Sequence, residues 1–341
     1  MENNLSEKDS DIKFDPNKPL QVGGQAVIEG VMMRAPGKIA TAIRRSNGDI
    51  IIRKRDFKSL GERNKFFKLP ILRGAAGLIE MMFVGIETLN FSAEIAIHDL
   101  EQKERNNGKD IKKKKSASNL RLALTVIFAL VLGIAIFFIT PLIVTTKLFS
   151  VEQNAVGFNI IAGGIRLSIL IVYLLAISMM KDVKRLFEYH GGEHKAVMSF
   201  ESNKLLSIES ATASTRFHPR CGTSFILIVA LVSVLLFAVF DSLMIMWIGK
   251  LTLPIRLVTH LPLIPLVGGI AYEFIRWSSK KTETALGKIL VAPGLWLQRV
   301  TTKEPDQSQI EVALVALQCA LGFEESRPVR YVQNVSEIIE E

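Results

Sequence analysis

Cysteine is scarce. Cys221 and Cys319 are the only two in 341 residues, and they stand far apart in segments read below as cytoplasmic, so a disulfide framework is excluded. There is no Walker loop, no Rossmann glycine fingerprint and no Gly-x-Ser-x-Gly elbow, which removes the commonest nucleotide-binding and serine-hydrolase classes. The formal net charge is +9, yet no base-stacking aromatic pattern accompanies the lysines and arginines, so no nucleic-acid partner is expected. The first twenty residues, MENNLSEKDSDIKFDPNKPL, lack an apolar core. They read as neither a secretory signal nor an anchor, and their mixed polar composition predicts a disordered stretch over 1–20.

What the chain has in excess is apolar sequence, 49% of its residues, gathered in runs. A hydrocarbon core about 30 Å thick takes about 20 helical residues to cross. Four segments reach that length: Leu120 to Val144, Val156 to Met180, Thr223 to Trp247 and Leu253 to Ile275. The expected fold is therefore mainly α, a polytopic membrane protein with about four transmembrane helices and a small cytoplasmic β-hairpin and helix region. Between the second and third spans lie Lys181, Lys184, Arg185, Lys195, Lys204, Arg216 and Arg220, whereas the two short outer connections carry only Lys147 and Lys250. Positive-inside bias then places both termini in the cytoplasm of a bacterial cell (inner) membrane, with the lipid bilayer as partner. The basic run Lys112 to Lys115 before the first span points the same way.

The organisation follows. Residues 21–119 form a cytoplasmic region in which Asn47-Gly48, flanked by alternating apolar and polar residues, marks a β-hairpin. Gln25 and Glu29 precede it, either as part of a structural lid or as contributors to a membrane-surface site. Further on, Arg73, Glu80, Glu87 and Glu94 recur every seven residues. That spacing draws one polar stripe on an amphipathic helix lying on the membrane or on the cytoplasmic domain, a solvated face or a source of carboxylates. Residues 120–180 hold the first two spans, 181–221 a cytoplasmic loop, 222–276 the last two spans and 277–341 a cytoplasmic helical region. Within the spans, Arg166 and Asp241 are expected to pair, while Arg256 and His260 are read as interfacial.

Three of the five histidines fall in the 181–221 loop. His190, Glu193 and His194 form His-x-x-Glu-His, the inverted zinc-peptidase pattern, in which two imidazoles on one helix face hold Zn²⁺ and the enclosed carboxylate handles protons. Gly191 and Gly192 count against a helix there, at about 1 kcal/mol each, so a helix end or kink is expected. His218 and Cys221 at the far end of the loop add an imidazole and a thiolate. These four ligands suit Zn²⁺ or a similar divalent metal, with Glu193 as general base. The competing reading is that the histidines cap helix ends at a membrane surface.

The blocks GGQAVIEGVMMRAP, EYHGGEHKAV, RFHPRCGTSF and APGLWLQRVTTKEPDQSQIEVAL together resemble the bacterial YqhQ-like family of uncharacterised membrane proteins, labelled predicted metal-dependent enzymes. The resemblance runs from about residue 20 to 325, with Ala35 where the first block would carry glycine. It implies His190, Glu193, His194, His218 and Cys221 as metal positions and names no substrate. Two function classes follow: a metal-dependent membrane hydrolase acting on a membrane-proximal peptide or lipid-linked substrate, or a metal-stabilised scaffold or regulator binding another membrane protein such as a protease or translocation component. A transporter is a third class, weakened by the few charges within the spans.

Overall fold

The computed structural model describes residues 22–107, 119–202, 205–281, 284–323 and 327–339. The expectations for residues 1–20 and for Lys112 to Lys115 lie outside them.

The chain begins as an antiparallel meander of β1 (Gly23–Val27), β2 (Gly30–Ala35), β3 (Lys38–Arg44) and β4 (Ile50–Asp56), with β5 (Arg330–Tyr331) added parallel to β4. The β3–β4 turn is the Asn47-Gly48 turn, where Gly48 takes φ +94, a region closed to most residues with a Cβ. The sheet is apolar on both faces because both are covered. Val31, Met33, Ala40 and Ala42 face one core, and the alternate residues Met32, Ile39 and Ile43 face the other side.

After α1 (Leu60–Arg63), closed by a Ser59–Glu62 capping box, and a 3₁₀ turn (Lys65–Lys68), the chain enters the long helix α2 (Leu72–Asn106). This helix covers the Met32 face of the sheet through Val84. Three of the four residues of its seven-residue stripe have partners: Arg73 pairs with Glu273, Glu80 accepts the Leu60 N–H at 2.7 Å, and Glu87 bonds Arg53 and Arg55 across to the hairpin, while Glu94 is exposed.

Among the described residues, four helices are long and apolar enough to cross a membrane. The first combines α3 (Asn119–Ile134), a π turn (Ala135–Ile139) and α4 (Thr140–Leu148). The second is α5 (Ala155–Ser178). Then come α6 (Lys181–Glu201) and the short α7 (Ile208–Thr212), so the connection between the second and third spans is itself largely helical. The third and fourth spans are α8 (Gly222–Ile248) and α9 (Leu253–Ser278), which continues through Pro262 and Pro265. A 3₁₀ turn (Ser279–Lys281), α10 (Ala285–Thr301), α11 (Gln307–Leu321) and α12 (Ser336–Ile339) complete the chain. Asp306 caps α11 in a capping box with Gln309, and Gly322 ends it at φ +80. Residues Gln309 to Leu321 are all buried: α11 fills the space between the sheet and α6, with Ile310, Leu314 and Leu317 in one core with Tyr189.

The intramembrane charges pair differently from the sequence expectation. Asp241 accepts from Asn159 at 2.8 Å, Arg256 at 2.9 Å and His260 at 2.7 Å. Arg256 and His260 are fully buried, each against an aromatic ring: Phe158 under the guanidinium at 3.6 Å and Phe237 stacked on the imidazole at 4.1 Å. Arg166 instead donates to Ser233 Oγ at 2.8 Å and to the Phe137 carbonyl at 3.0 Å, which Pro141, four residues on, has no N–H to meet. Helix register is the reason. In the antiparallel pair α5–α8, Asn159 is level with Asp241, so Arg166, seven residues along and about 10 Å deeper at 1.5 Å per residue, is level with Ser233.

Candidate metal centre

His190 and His194 stand one turn apart on α6, and Cys221 is the N-cap of α8, with Sγ accepting from the Thr223 N–H. Their ligand atoms lie within 4.8 Å of one another, and Cys221 Sγ is 3.3 Å from His190 Nε2. The Nδ1 of His190 is 2.8 Å from the Thr301 carbonyl oxygen, and that of His194 is 2.6 Å from the Arg216 carbonyl oxygen. A carbonyl only accepts, so each Nδ1 carries the proton and each Nε2 offers its lone pair to the cluster. This arrangement, an imidazole N–H held by an outer acceptor, is how proteins orient histidine ligands to metals. The spacing fits as well. Bonds of about 2.0 Å to nitrogen and 2.3 Å to sulfur at a tetrahedral angle place the two donor atoms about 3.5 Å apart. The His190–His194–Cys221 group can therefore hold a metal ion.

Burial holds the His194 imidazole below the usual histidine range, although its contact with Cys221 opposes this. A neutral imidazole is the form that ligates. Glu193 is buried beside the group, with Oε2 3.9 Å from His190 Nε2. Burial pushes its carboxyl above the usual range, against the pull of His190, His218 and the Gly24 backbone N–H. These groups border a cavity of about 110 Å³ whose other walls are Val22, Gly23 and Gly24 at the start of the sheet and Arg220 and Gly222 at the head of α8. That is large enough to admit water.

His218 borders the same cavity but turns elsewhere. Its Nε2 lies 3.2 Å from Glu201, which also binds Arg220, and burial lowers its pKa against the attraction of Glu193. Gln25 packs on Gly85 of α2. Glu29, at φ +54, binds Arg185 and Tyr189. Neither lines the cavity.

Gly191 and Gly192 sit inside α6, not at its end. A Cβ on Gly191 would lie 2.0 Å from the Lys303 carbonyl oxygen, and one on Gly192 would lie 3.3 Å from that of Gln309. The glycines let the segment 301–310 cross α6 in direct backbone contact, with the Lys303 N–H donating to the Phe187 carbonyl at 2.8 Å. That crossing delivers the Thr301 carbonyl to His190.

Several positioning residues escaped sequence reasoning: Thr301, Glu201, Gly24 and above all Gln298. The fully buried Gln298 side chain accepts the His218 N–H, donates to the His218 carbonyl, both at 2.8 Å, and reaches Ser224 at 3.0 Å. It locks the loop that carries Cys221 onto α10. The available signal was a lone amide at the end of the apolar run APGLWL.

Among families of known sequences, the one described as "Protein of unknown function (DUF1385)" matches residues 69–323. The chain is 34% identical over 311 residues to "Uncharacterized protein YqhQ" of Bacillus subtilis (strain 168), covering 90% of this chain and 94% of that protein. No solved structure matches.

Proposed function

From the premise that the chain belongs to the DUF1385 family, we propose that it is a metal-dependent membrane hydrolase, with Zn²⁺ or a similar divalent ion held by His190, His194 and Cys221. The observation that carries this reading is the shared orientation of the two imidazoles, each with its Nδ1 committed to a backbone carbonyl and its Nε2 turned to a thiol. A metal bound there supplies Lewis-acid polarisation of an oxygen. The chain supplies the rest. Glu193 Oε2 takes up and returns a proton as general base and acid, a role suited to a carboxyl raised by burial. Gly24 orients that carboxylate, while the sheet and the head of α8 exclude bulk water from the cavity. His218 borders the cavity as a further ligand or as a substrate contact.

Cys221 is at the end of a helix long and apolar enough to cross a membrane, which supports a site at the membrane surface, and the positive-inside bias of the sequence supports the cytoplasmic side of a bacterial cell membrane. That position fits a membrane-proximal peptide or a lipid-linked substrate.

The second reading, a metal-stabilised scaffold or regulator that binds another membrane protein, is favoured by one observation: Glu193 is close enough to His190 to close the coordination shell itself, and closed shells are structural. Purified protein should carry one zinc ion per chain and lose it on His190→Ala with His194→Ala; full occupancy in the double variant refutes the metal centre. Complementation of a deletion strain by Glu193→Gln then separates the readings. Loss of rescue with metal retained supports the hydrolase, since positioned proton transfer is worth about 10²- to 10⁴-fold in rate. Full rescue supports the scaffold.

A further inference from the structure

Beside the candidate centre, the segment from Lys58 through the first third of α2 is built against a membrane-crossing helix yet crosses nothing. A Cβ on Gly269 of α9 would meet Ile71 at 2.5 Å, one on Gly268 would meet Leu78 at 2.8 Å, and one on Gly74 would meet Tyr272 at 2.7 Å. Gly268 and Gly269 stand about ten residues before the end of α9 at Ser278, about 14 Å along a helix rising 1.5 Å per residue. The start of α2 is thus packed about 14 Å back from the end of a helix long and apolar enough to cross a membrane.

The side chains of this stretch suit that position. The two charged groups inside its α2 portion have partners in the chain: the Arg73 guanidinium grips Glu273, and the Glu80 carboxylate takes the Leu60 N–H. Its large apolar groups are not covered by the chain. Phe66 is 57% exposed and Phe83 64%, with Leu69, Ile79 and Met82 beside them. Four cations, Lys58, Arg63, Lys65 and Lys68, are exposed on the approach to α2. Apolar residues next to unspent cations are the pattern of an element seated at the lipid interface.

We propose that residues 58–83 form a non-spanning wedge in the leaflet that borders the candidate metal centre, with Phe66, Leu69, Ile79, Met82 and Phe83 in acyl chains and the four cations on anionic lipid headgroups. The occupant of this surface is the bilayer, for two reasons. The surface adjoins the candidate span α9 at Tyr272, which abuts Gly74 and is itself 37% exposed, and its charge complements anionic headgroups. Just beyond the wedge, Gly85 of α2 receives Gln25, the neighbour of the Gly24 that orients Glu193. The leaflet seat and the cavity wall therefore share one packed path.

Bimane placed at Phe66→Cys and, separately, at Phe83→Cys in the full chain, reconstituted in phosphatidylcholine–phosphatidylglycerol vesicles, tests this. The two native cysteines are buried, and the unsubstituted chain measures any background labelling. Acyl-brominated lipid should quench both probes as strongly as one at Leu124→Cys in the first span, while aqueous iodide should quench only a reference probe at Asn47→Cys in the hairpin turn. Iodide quenching at 66 and 83 without bromine quenching overturns the wedge. Removing phosphatidylglycerol, or combining Lys65→Gln with Lys68→Gln, should at least halve bromine quenching at 66. Quenching unchanged by both overturns the assignment of the cations to headgroups.

Discussion

A Cβ on Gly191 would lie 2.0 Å from the carbonyl oxygen of Lys303, so the backbone of α6 and the strap leading into α11 touch at the point where the first histidine leaves the helix. The crossing holds the candidate ligand as well as the core. Two residues before Lys303, Thr301 offers the carbonyl that fixes the His190 tautomer.

Gly191→Ala should therefore destabilise the protein by about 1–3 kcal/mol through overpacking, although alanine gains about 1 kcal/mol in helix propensity. Zinc affinity should fall with it as the Thr301 carbonyl is pushed away. Gly192→Ala, with 3.3 Å of clearance, should be milder on both counts. Thermal melts in detergent and zinc competition titrations measure the two effects.

Gln298 acts through the loop it grips. Gln298→Leu leaves the His218 N–H and carbonyl without buried partners, and it should weaken zinc binding about 10- to 100-fold, the usual cost of losing an outer-shell support. Cys221→Ser should weaken it more, by removing a donor atom. His218→Ala should weaken it least, because its ring is turned to Glu201. A competition titration with a chromophoric chelator ranks the three.

The buried Asp241 cluster gives a stability prediction independent of the metal. Asp241→Asn leaves Arg256 as an uncompensated charge between α8 and α9, a change that typically costs about 3–5 kcal/mol. Arg256→Met combined with Asp241→Asn should recover part of that loss. Detergent melting temperatures of the three proteins decide it.

Topology can be read with a membrane-impermeant thiol reagent. Lys250→Cys, in the exposed connection between α8 and α9, should react in intact cells. Leu205→Cys, exposed between α6 and α7, should react only after permeabilisation. The reverse pattern would invert the orientation drawn from the basic residues.

The spans were legible in the sequence because hydrophobic length is a one-dimensional property: a run of about 20 apolar residues has few ways to be accommodated except across a bilayer. The β3–β4 turn was legible because Asn47-Gly48 tolerates the positive φ that Gly48 adopts. The spacing of His190 and His194 placed two imidazoles on one helix face by period alone.

Other features depended on what lies opposite in space. Gly191 and Gly192 read as helix breakers because their reason, the Lys303 and Gln309 carbonyls, is more than a hundred residues away. Asp241 took Arg256 and His260 rather than Arg166 because the relative height of packed helices is set by side-chain fit, not by hydropathy. His218 turned to Glu201, and Gln298 gained its grip on the loop, through contacts that no local spacing encodes. By itself the sequence determined which segments are apolar enough to span, where the hairpin turns and which residues can ligate a metal, since these follow from local chemistry and period. The tertiary structure alone decided which of those residues meet, because the positions of Thr301, Gln298 and Cys221 around α6 depend on how the helices pack.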